Sequence, residues 1–262
     1  MSFTLINEGN AIPIAKEEGG RKVIYLELEP DDPDSVVTEL ITKKPIMPLP
    51  KETREVTYIA GSQGSGKSYV VASYIRYWLK LYKHKPVYVI SRLDRDETFE
   101  TCFGDLEKKI QRLKPSIDWL ADKFKLEEFA DSLVVFDDIE SSSWSDHEDP
   151  KESSKENKMI QQYLYDLATD ISQNGRHHKI QLVITNHNLY DGTKTSRILC
   201  DCNNYVIFPG TSGDHHLTYF LQNYVGLSKP QQQKIKTLQS RWVLISKNYP
   251  KYVMYAHGVF ML

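Results

Sequence analysis

The residues best suited to chemistry are Gly61-Ser62-Gln63-Gly64-Ser65-Gly66-Lys67-Ser68. The spacing is G-x-x-x-x-G-K-S. It follows a short β-branched and aromatic run, Val56-Thr57-Tyr58-Ile59, and precedes a helical pattern. Glycines let the chain wrap a phosphate chain where a Cβ would clash. Backbone N–H groups then converge on the phosphates, and the helix start adds the positive end of its dipole. Lys67 is placed to reach the β- and γ-phosphates of a nucleoside triphosphate, and Ser68 to hold Mg²⁺ through its hydroxyl. An ordinary glycine-rich turn would not need this complete set in a strand–loop–helix setting.

A second acidic position follows Leu133-Val134-Val135-Phe136 at Asp137-Asp138. Four apolar residues ending in an acid describe a central parallel strand whose carboxyl end meets a cation. Many strands end in Asp, but one that follows a P-loop reads as a Walker B strand, with Asp137 as the Mg²⁺ ligand.

The elements that must position these residues are legible in outline. Val70, Val71, Tyr74, Ile75, Trp78 and Leu79 recur at helical spacing after the P-loop. Val87–Ile90 reads as a buried strand. Residues 97–131 read as two short helices broken near Pro115. Residues 141–157, SSSWSDHEDPKESSKEN, read as a mobile polar insertion. Met159–Asn174 is helical, with Gly175 as its stop. Ile180–Ile184 is a buried strand ending in Thr185-Asn186-His187-Asn188. A helix around Lys194–Leu199, a fifth strand at Tyr205–Phe208 and helices at His216–Val225 and Gln231–Leu238 follow. A hairpin of Trp242–Ser246 with Tyr252–Tyr255 closes the chain. The expected organisation is an extension over 1–52, with a strand at Val23–Leu28 and turn chemistry at Asp31–Asp34, and a P-loop domain over 53–262. The fold class is α/β, a mainly parallel central sheet with helices on both faces and a C-terminal β-hairpin.

Composition sets limits. With 262 residues the chain can bury a sizeable core in one large domain. A net charge of −2 does not advertise a nucleic-acid binder, although a basic stripe can sit on a neutral protein. Cys102, Cys200 and Cys202 are an odd number without zinc-ligand spacing, which fits reduced thiols. No apolar run approaches a membrane span, and the N-terminus has no secretory pattern. A [NT]-K-x-D guanine-reading motif is absent, which lowers a GTPase reading.

With one strand between the two nucleotide motifs and another after the second, the order resembles the additional-strand division of P-loop ATPases. There the strand after Walker B lies between it and the P-loop strand. That likeness implies Asn186 as the sensor of γ-phosphate and attacking water, with His187 or Asn188 able to share its task. It also implies Asp138, where the division usually has Glu, as the water-orienting base, with Glu140 as a less well-placed substitute. Phe136-Asp137-Asp138, Asn174-Gly175-Arg176-His177, a strand ending in an amide and then Arg197 together resemble the poxvirus-type genome-packaging ATPases of the FtsK/HerA superfamily, over roughly residues 53–262. The family often carries Gln where Asn186 stands.

The resemblance implies an ATP- and Mg²⁺-dependent motor that drives double-stranded DNA into a capsid. It implies a homo-oligomeric ring, pentamer or hexamer, capsid-vertex partners, and work at a viral assembly site in the host cytoplasm or with the virion. Arg176 and Arg197 match positions from which an arginine acts on a neighbouring subunit's nucleotide. The alternatives are a small-molecule or nucleoside kinase on the same core, and a non-hydrolysing nucleotide-gated scaffold, which the Asp137-Asp138 pair argues against. Lys229, Lys234, Lys236 and Arg241 form a modest basic cluster, a candidate DNA contact or a solvated face.

Overall fold

The computed structural model describes residues 3–6, 11–28, 36–93, 97–103, 108–140 and 143–262. In chain order its strands and helices are β1 (Phe3–Ile6), β2 (Ile12–Glu17), β3 (Val23–Leu28), β4 (Glu39–Ile41), β5 (Ile46–Pro48), β6 (Val56–Ala60), α1 (Lys67–Leu81), β7 (Val87–Ile90), α2 (Glu97–Phe103), β8 (Ile110–Leu113), β9 (Leu133–Phe136), α3 (Pro150–Asn174), β10 (Gln181–Asn186), α4 (Gly192–Asp201), β11 (Asn204–Ile207), α5 (Asp214–Asn223), α6 (Lys229–Thr237), β12 (Val243–Ser246), β13 (Tyr252–Tyr255) and β14 (Gly258–Met261).

Ten strands form the main sheet in the order β4-β14-β13-β12-β11-β6-β10-β9-β7-β8. The six strands from β11 to β8 run parallel to one another. Strands β6, β9 and β10 are buried at every position, so they read as continuous apolar runs rather than alternating ones. The additional strand is where the sequence places it: β10 pairs with β6 on one side and β9 on the other.

Helices cover both faces. On one, Ile160, Leu164, Ala168 and Ile171 of α3 pack with Ile198 of α4 and Phe220 of α5. On the other, α1 buries Val71, Ile75, Trp78 and Leu79 in the same cluster as Ile14, Ile24 and Ile46. Those last three belong to a second, four-stranded sheet, β1-β3-β2-β5. Residues ahead of the P-loop therefore cover α1, and β4 joins the edge of the main sheet against β14. Asp31–Asp34 lie outside the described residues.

Four expectations change. First, Ile110–Leu113 is a strand rather than part of a helix, because pairing beside β7 (Val87↔Ile110) satisfies its backbone. Among the described residues of that region, α2 is an α-helix and Ile117–Leu120 and Leu126–Phe129 are short 3₁₀ turns. Second, the polar insertion is half helix. Asp149 caps α3, its carboxylate accepting from the N–H groups of Lys151 (2.7 Å) and Glu152 (3.4 Å), with Pro150 in the first helical turn. Third, the rest of that insertion is not free: Trp144 is buried, and the Trp144 and Ser145 N–H groups both donate to the Asn157 side chain. Fourth, the closing hairpin continues into a third strand, β14.

Candidate active site

Register brings the chemistry together. Phe136 pairs with Ile184, and Asn186 with Ala60. The residues just past these strand ends, Gly61, Asp137 and His187, therefore emerge along one carboxyl edge of the sheet. Open α/β sheets bind ligands at that edge.

The P-loop leaves β6 at Gly61 and enters α1 at Lys67. Gly66 has φ +111°, a conformation that leaves little room for a side chain. Ser62, Gln63 and Gly64 are exposed, whereas Gly61 and Ser65 are buried. Lys67 Nζ donates to the carbonyls of Gly61 (2.6 Å) and Ser62 (3.2 Å) and lies 3.3 Å from His187 Nδ1. Burial pulls the Lys67 pKa below its ordinary value, while Asp138, Asp137 and Glu140 pull it back up. That field of acids is what a lysine meets when phosphates and a cation are meant to lie between them.

Asp137 is held on both oxygens. Thr185 Oγ1 donates to one (3.1 Å) and Ser91 Oγ lies 3.4 Å from the other. The Asp137 carboxylate and the Ser68 hydroxyl are oxygen donors of the kind that would suit Mg²⁺. Asp138 has φ +55°, a sparsely populated conformation for a residue other than glycine. Its N–H donates to Thr185 Oγ1 at 2.7 Å, which fixes the turn. The Asp138 carboxylate Oδ1 lies 3.2 Å from His187 Nε2.

Asn186 ends β10 beside the P-loop, its carbonyl accepting from the Gly61 N–H at 3.2 Å. It is fully buried, and its amide donates to Tyr58 Oη at 2.8 Å. The next residue, His187, is the one that meets both Lys67 and Asp138. Glu140 lies deeper: its carboxylate accepts from Asn188 Nδ2 at 3.2 Å, and burial first, then Asp191, raises its pKa.

The two arginines are separated. Arg176 is an exposed turn residue after α3, ahead of β10 and therefore at the amino edge of the sheet. Beside it, Arg54 donates to the Ile171, Ser172 and Ile180 carbonyls at 2.5, 3.0 and 2.9 Å and so caps the end of α3. Gly175 is needed there, since a Cβ would fall 2.5 Å from the Ile171 carbonyl oxygen. Arg197 is an exposed residue of α4 and lines a polar groove with Lys158, Tyr165 and Lys194.

The basic cluster of the C-terminal third is dispersed by its partners. Lys234 pairs with Glu39 (3.2 Å), and Lys236 with Asp214 (2.7 Å). Arg241 turns to the P-loop, where Nε donates to the Ser65 carbonyl and Nη2 to the Gly64 carbonyl, each at 2.7 Å. Phe208 packs against the same loop at Gly61. No local pattern signals either contact; both arise from the pairing of β11 with β12 (Ile207↔Val243) and with β6 (Ile207↔Ala60).

The chain is 34% identical over 264 residues to protein V3 of Sputnik virophage, with 98% of each chain covered. It belongs to the V3 family. No protein-family model matches this chain. Among solved structures, the genome packaging NTPase B204 from Sulfolobus turreted icosahedral virus 2, in complex with ATPγS, superposes with a TM-score of 0.51 at 15% identity, over 78% of this chain and 96% of that one. The pCW3 conjugation coupling protein TcpA, with ATPγS, gives a TM-score of 0.51 at 15% identity, over 94% of this chain and 76% of that one. At such identities the likeness is one of fold, and the fold is that of P-loop NTPases.

Proposed function

We propose that this V3-family chain is an ATP-hydrolysing motor that translocates double-stranded DNA into a viral capsid. One observation carries the reading: Lys67, Asp137 and Asp138 face one another along the carboxyl edge, with β10 between the P-loop strand and the Asp137 strand. That arrangement suits hydrolysis of a triphosphate by an oriented water. The fold it sits in is shared with a genome packaging NTPase and a conjugation coupling protein, which supports DNA as the driven substrate.

In this reading the Gly61–Ser68 loop binds the triphosphate and Lys67 leaves its loop carbonyls for the β- and γ-phosphates. Ser68 and Asp137 hold Mg²⁺, which when bound neutralises phosphate charge. Asp138 accepts a proton from the attacking water as the water oxygen bonds the γ-phosphorus and ADP leaves, with His187 beside that carboxylate. A homo-oligomeric ring, pentameric or hexameric, would let Arg176 or Arg197 reach a neighbour's nucleotide. Capsid-vertex proteins as docking partners, and a viral assembly site in the host cytoplasm or the virion as the place of work, complete the proposal.

The test is ATP turnover by the full chain with and without duplex DNA. Stimulation by DNA that disappears in Lys67→Ala supports the motor. DNA-independent turnover with transfer of phosphate to an added nucleoside would replace it with a kinase.

A further inference from the structure

Arg241 is far from the P-loop in sequence and in direct contact with it in the fold. The sheet explains how. Strand β11 runs parallel to β6 and antiparallel to β12, so the residue pairs Ile207↔Ala60 and Ile207↔Val243 put the start of β12 level with the end of β6. Arg241, two residues before Val243, then reaches the loop that leaves β6.

The contact is a fork. Nε and Nη2 of one planar guanidinium bond two successive carbonyls, those of Ser65 and Gly64. An ammonium cannot reproduce that pair of parallel donors. In a trans peptide the C=O and N–H point in opposite directions. Fixing the Ser65 carbonyl on Arg241 therefore turns the Gly66 N–H away from Arg241. Fixing the Gly64 carbonyl does the same for the Ser65 N–H, which bonds the Ser62 carbonyl at 3.2 Å and closes the turn. A cation on a carbonyl oxygen also polarises the peptide, so its N–H becomes a stronger donor. At Gly66 a Cβ would stand 3.5 Å from Arg241 Nε, so the guanidinium lies directly against the loop.

The other end of Arg241 is anchored in the C-terminal strands. Ser240 Oγ donates to the Trp242 carbonyl (2.6 Å) and accepts from the Ala256 N–H (3.0 Å), which ties the segment to the β13–β14 turn. The loop is thereby braced against the β12–β14 meander.

We propose that Arg241 is a positioning residue for the triphosphate: by holding the Gly64 and Ser65 carbonyls it keeps the turn closed, directs the Gly66 N–H towards the phosphates and strengthens it as a donor, without touching the nucleotide. The proposal rests on the nucleotide site described above. Its specific consequence is that Arg241 matters to phosphates and not to the nucleoside.

The experiment measures ATP and adenosine binding, and the KM and kcat of hydrolysis, for the full chain and for Arg241→Ala, Arg241→Lys and Lys67→Ala. Arg241→Ala is expected to weaken ATP binding and raise its KM by about 10- to 100-fold, with adenosine binding and kcat changed far less. Arg241→Lys, which keeps charge but loses the fork, falls between. Equal ATP affinity in Arg241→Ala and the parent, with Lys67→Ala still abolishing binding, overturns the role of Arg241 and leaves the nucleotide site standing. Unimpaired ATP binding in Lys67→Ala overturns the site itself. If Arg241→Ala does not fold, Arg241→Lys decides, and parent-like ATP affinity in it overturns the fork.

Discussion

His187 and Asp138 face each other across 3.2 Å, Nε2 to Oδ1, while the other ring nitrogen of His187 lies 3.3 Å from Lys67 Nζ. The imidazole stands between the Lys67 ammonium and the Asp138 carboxylate. One imidazole thus links the residue expected to bind the γ-phosphate to the residue expected to orient water. When Lys67 turns to phosphate, His187 loses its contact with Lys67 and stays beside Asp138.

His187→Ala should lower kcat by about 10- to 100-fold, the loss expected for one hydrogen bond to a charged group, with the KM for ATP changed little. Steady-state hydrolysis by purified protein checks this. A parent-like kcat would return the sensing role to Asn186 or Asn188.

The two adjacent acids should separate in their effects. Asp137→Asn should weaken Mg²⁺-dependent hydrolysis, because the charge that Thr185 and Ser91 position is lost. Asp138→Asn should leave ATP binding within about threefold and cut turnover by about 10²-fold or more. Nucleotide binding measured beside turnover distinguishes the two. Normal turnover in Asp138→Asn would move the base to Glu140.

Glu140 yields a pH-dependent prediction. Its pKa is raised in the folded protein, mainly by burial. Between the ordinary carboxylate range and that raised value, the folded chain holds a proton that the unfolded chain has released. Stability therefore falls as pH rises through this window, and the cost is complete above it. Glu140→Gln should melt at a higher temperature than the parent at about pH 8, and the difference should shrink as pH is lowered towards about 4. Melting curves across that range check the sign.

What the sequence made legible follows local physics. The P-loop, the buried strands β6, β7, β9 and β10 and the helix α1 are runs whose pattern is complete in themselves. The start of α3 was also written locally, since Asp149-Pro150 with Glu152 in the first turn is a helix-start pattern, but the polar composition of the segment obscured it. β8 is four residues long and is decided by its neighbour Val87, which no local window contains. The same holds at the site. Lys67, Asp137 and Asp138 announce themselves by spacing, whereas Arg241 and Phe208 reach the loop only through sheet register. Asn186 and His187 are adjacent, but Asn186 ends β10 and is buried against Tyr58, whereas His187 lies just past the strand end and meets Lys67.

Arg176 and Arg197 are distinguished by a mixing experiment. Arg176 is at the opposite end of β10 from its own P-loop, about 17 Å along a strand of this length, so any action it has on a phosphate is on a neighbour's. Arg176→Ala alone should lose ATPase activity by about 10³-fold, the effect of a finger in trans. Mixed with Lys67→Ala subunits, which still carry Arg176, it should recover part of that activity. Unchanged activity in the single variant would leave Arg197 as the trans-acting residue.

The most direct test of the motor is translocation itself. A third strand bound as a triplex at one end of a linear duplex is displaced when a motor passes beneath it, and its release can be followed by fluorescence. The account predicts release that requires ATP, lags in proportion to the length of duplex ahead of the triplex, and is absent with Lys67→Ala or Asp138→Asn. Hydrolysis of ATP by assembled protein on DNA, with no displacement at any duplex length, would contradict it.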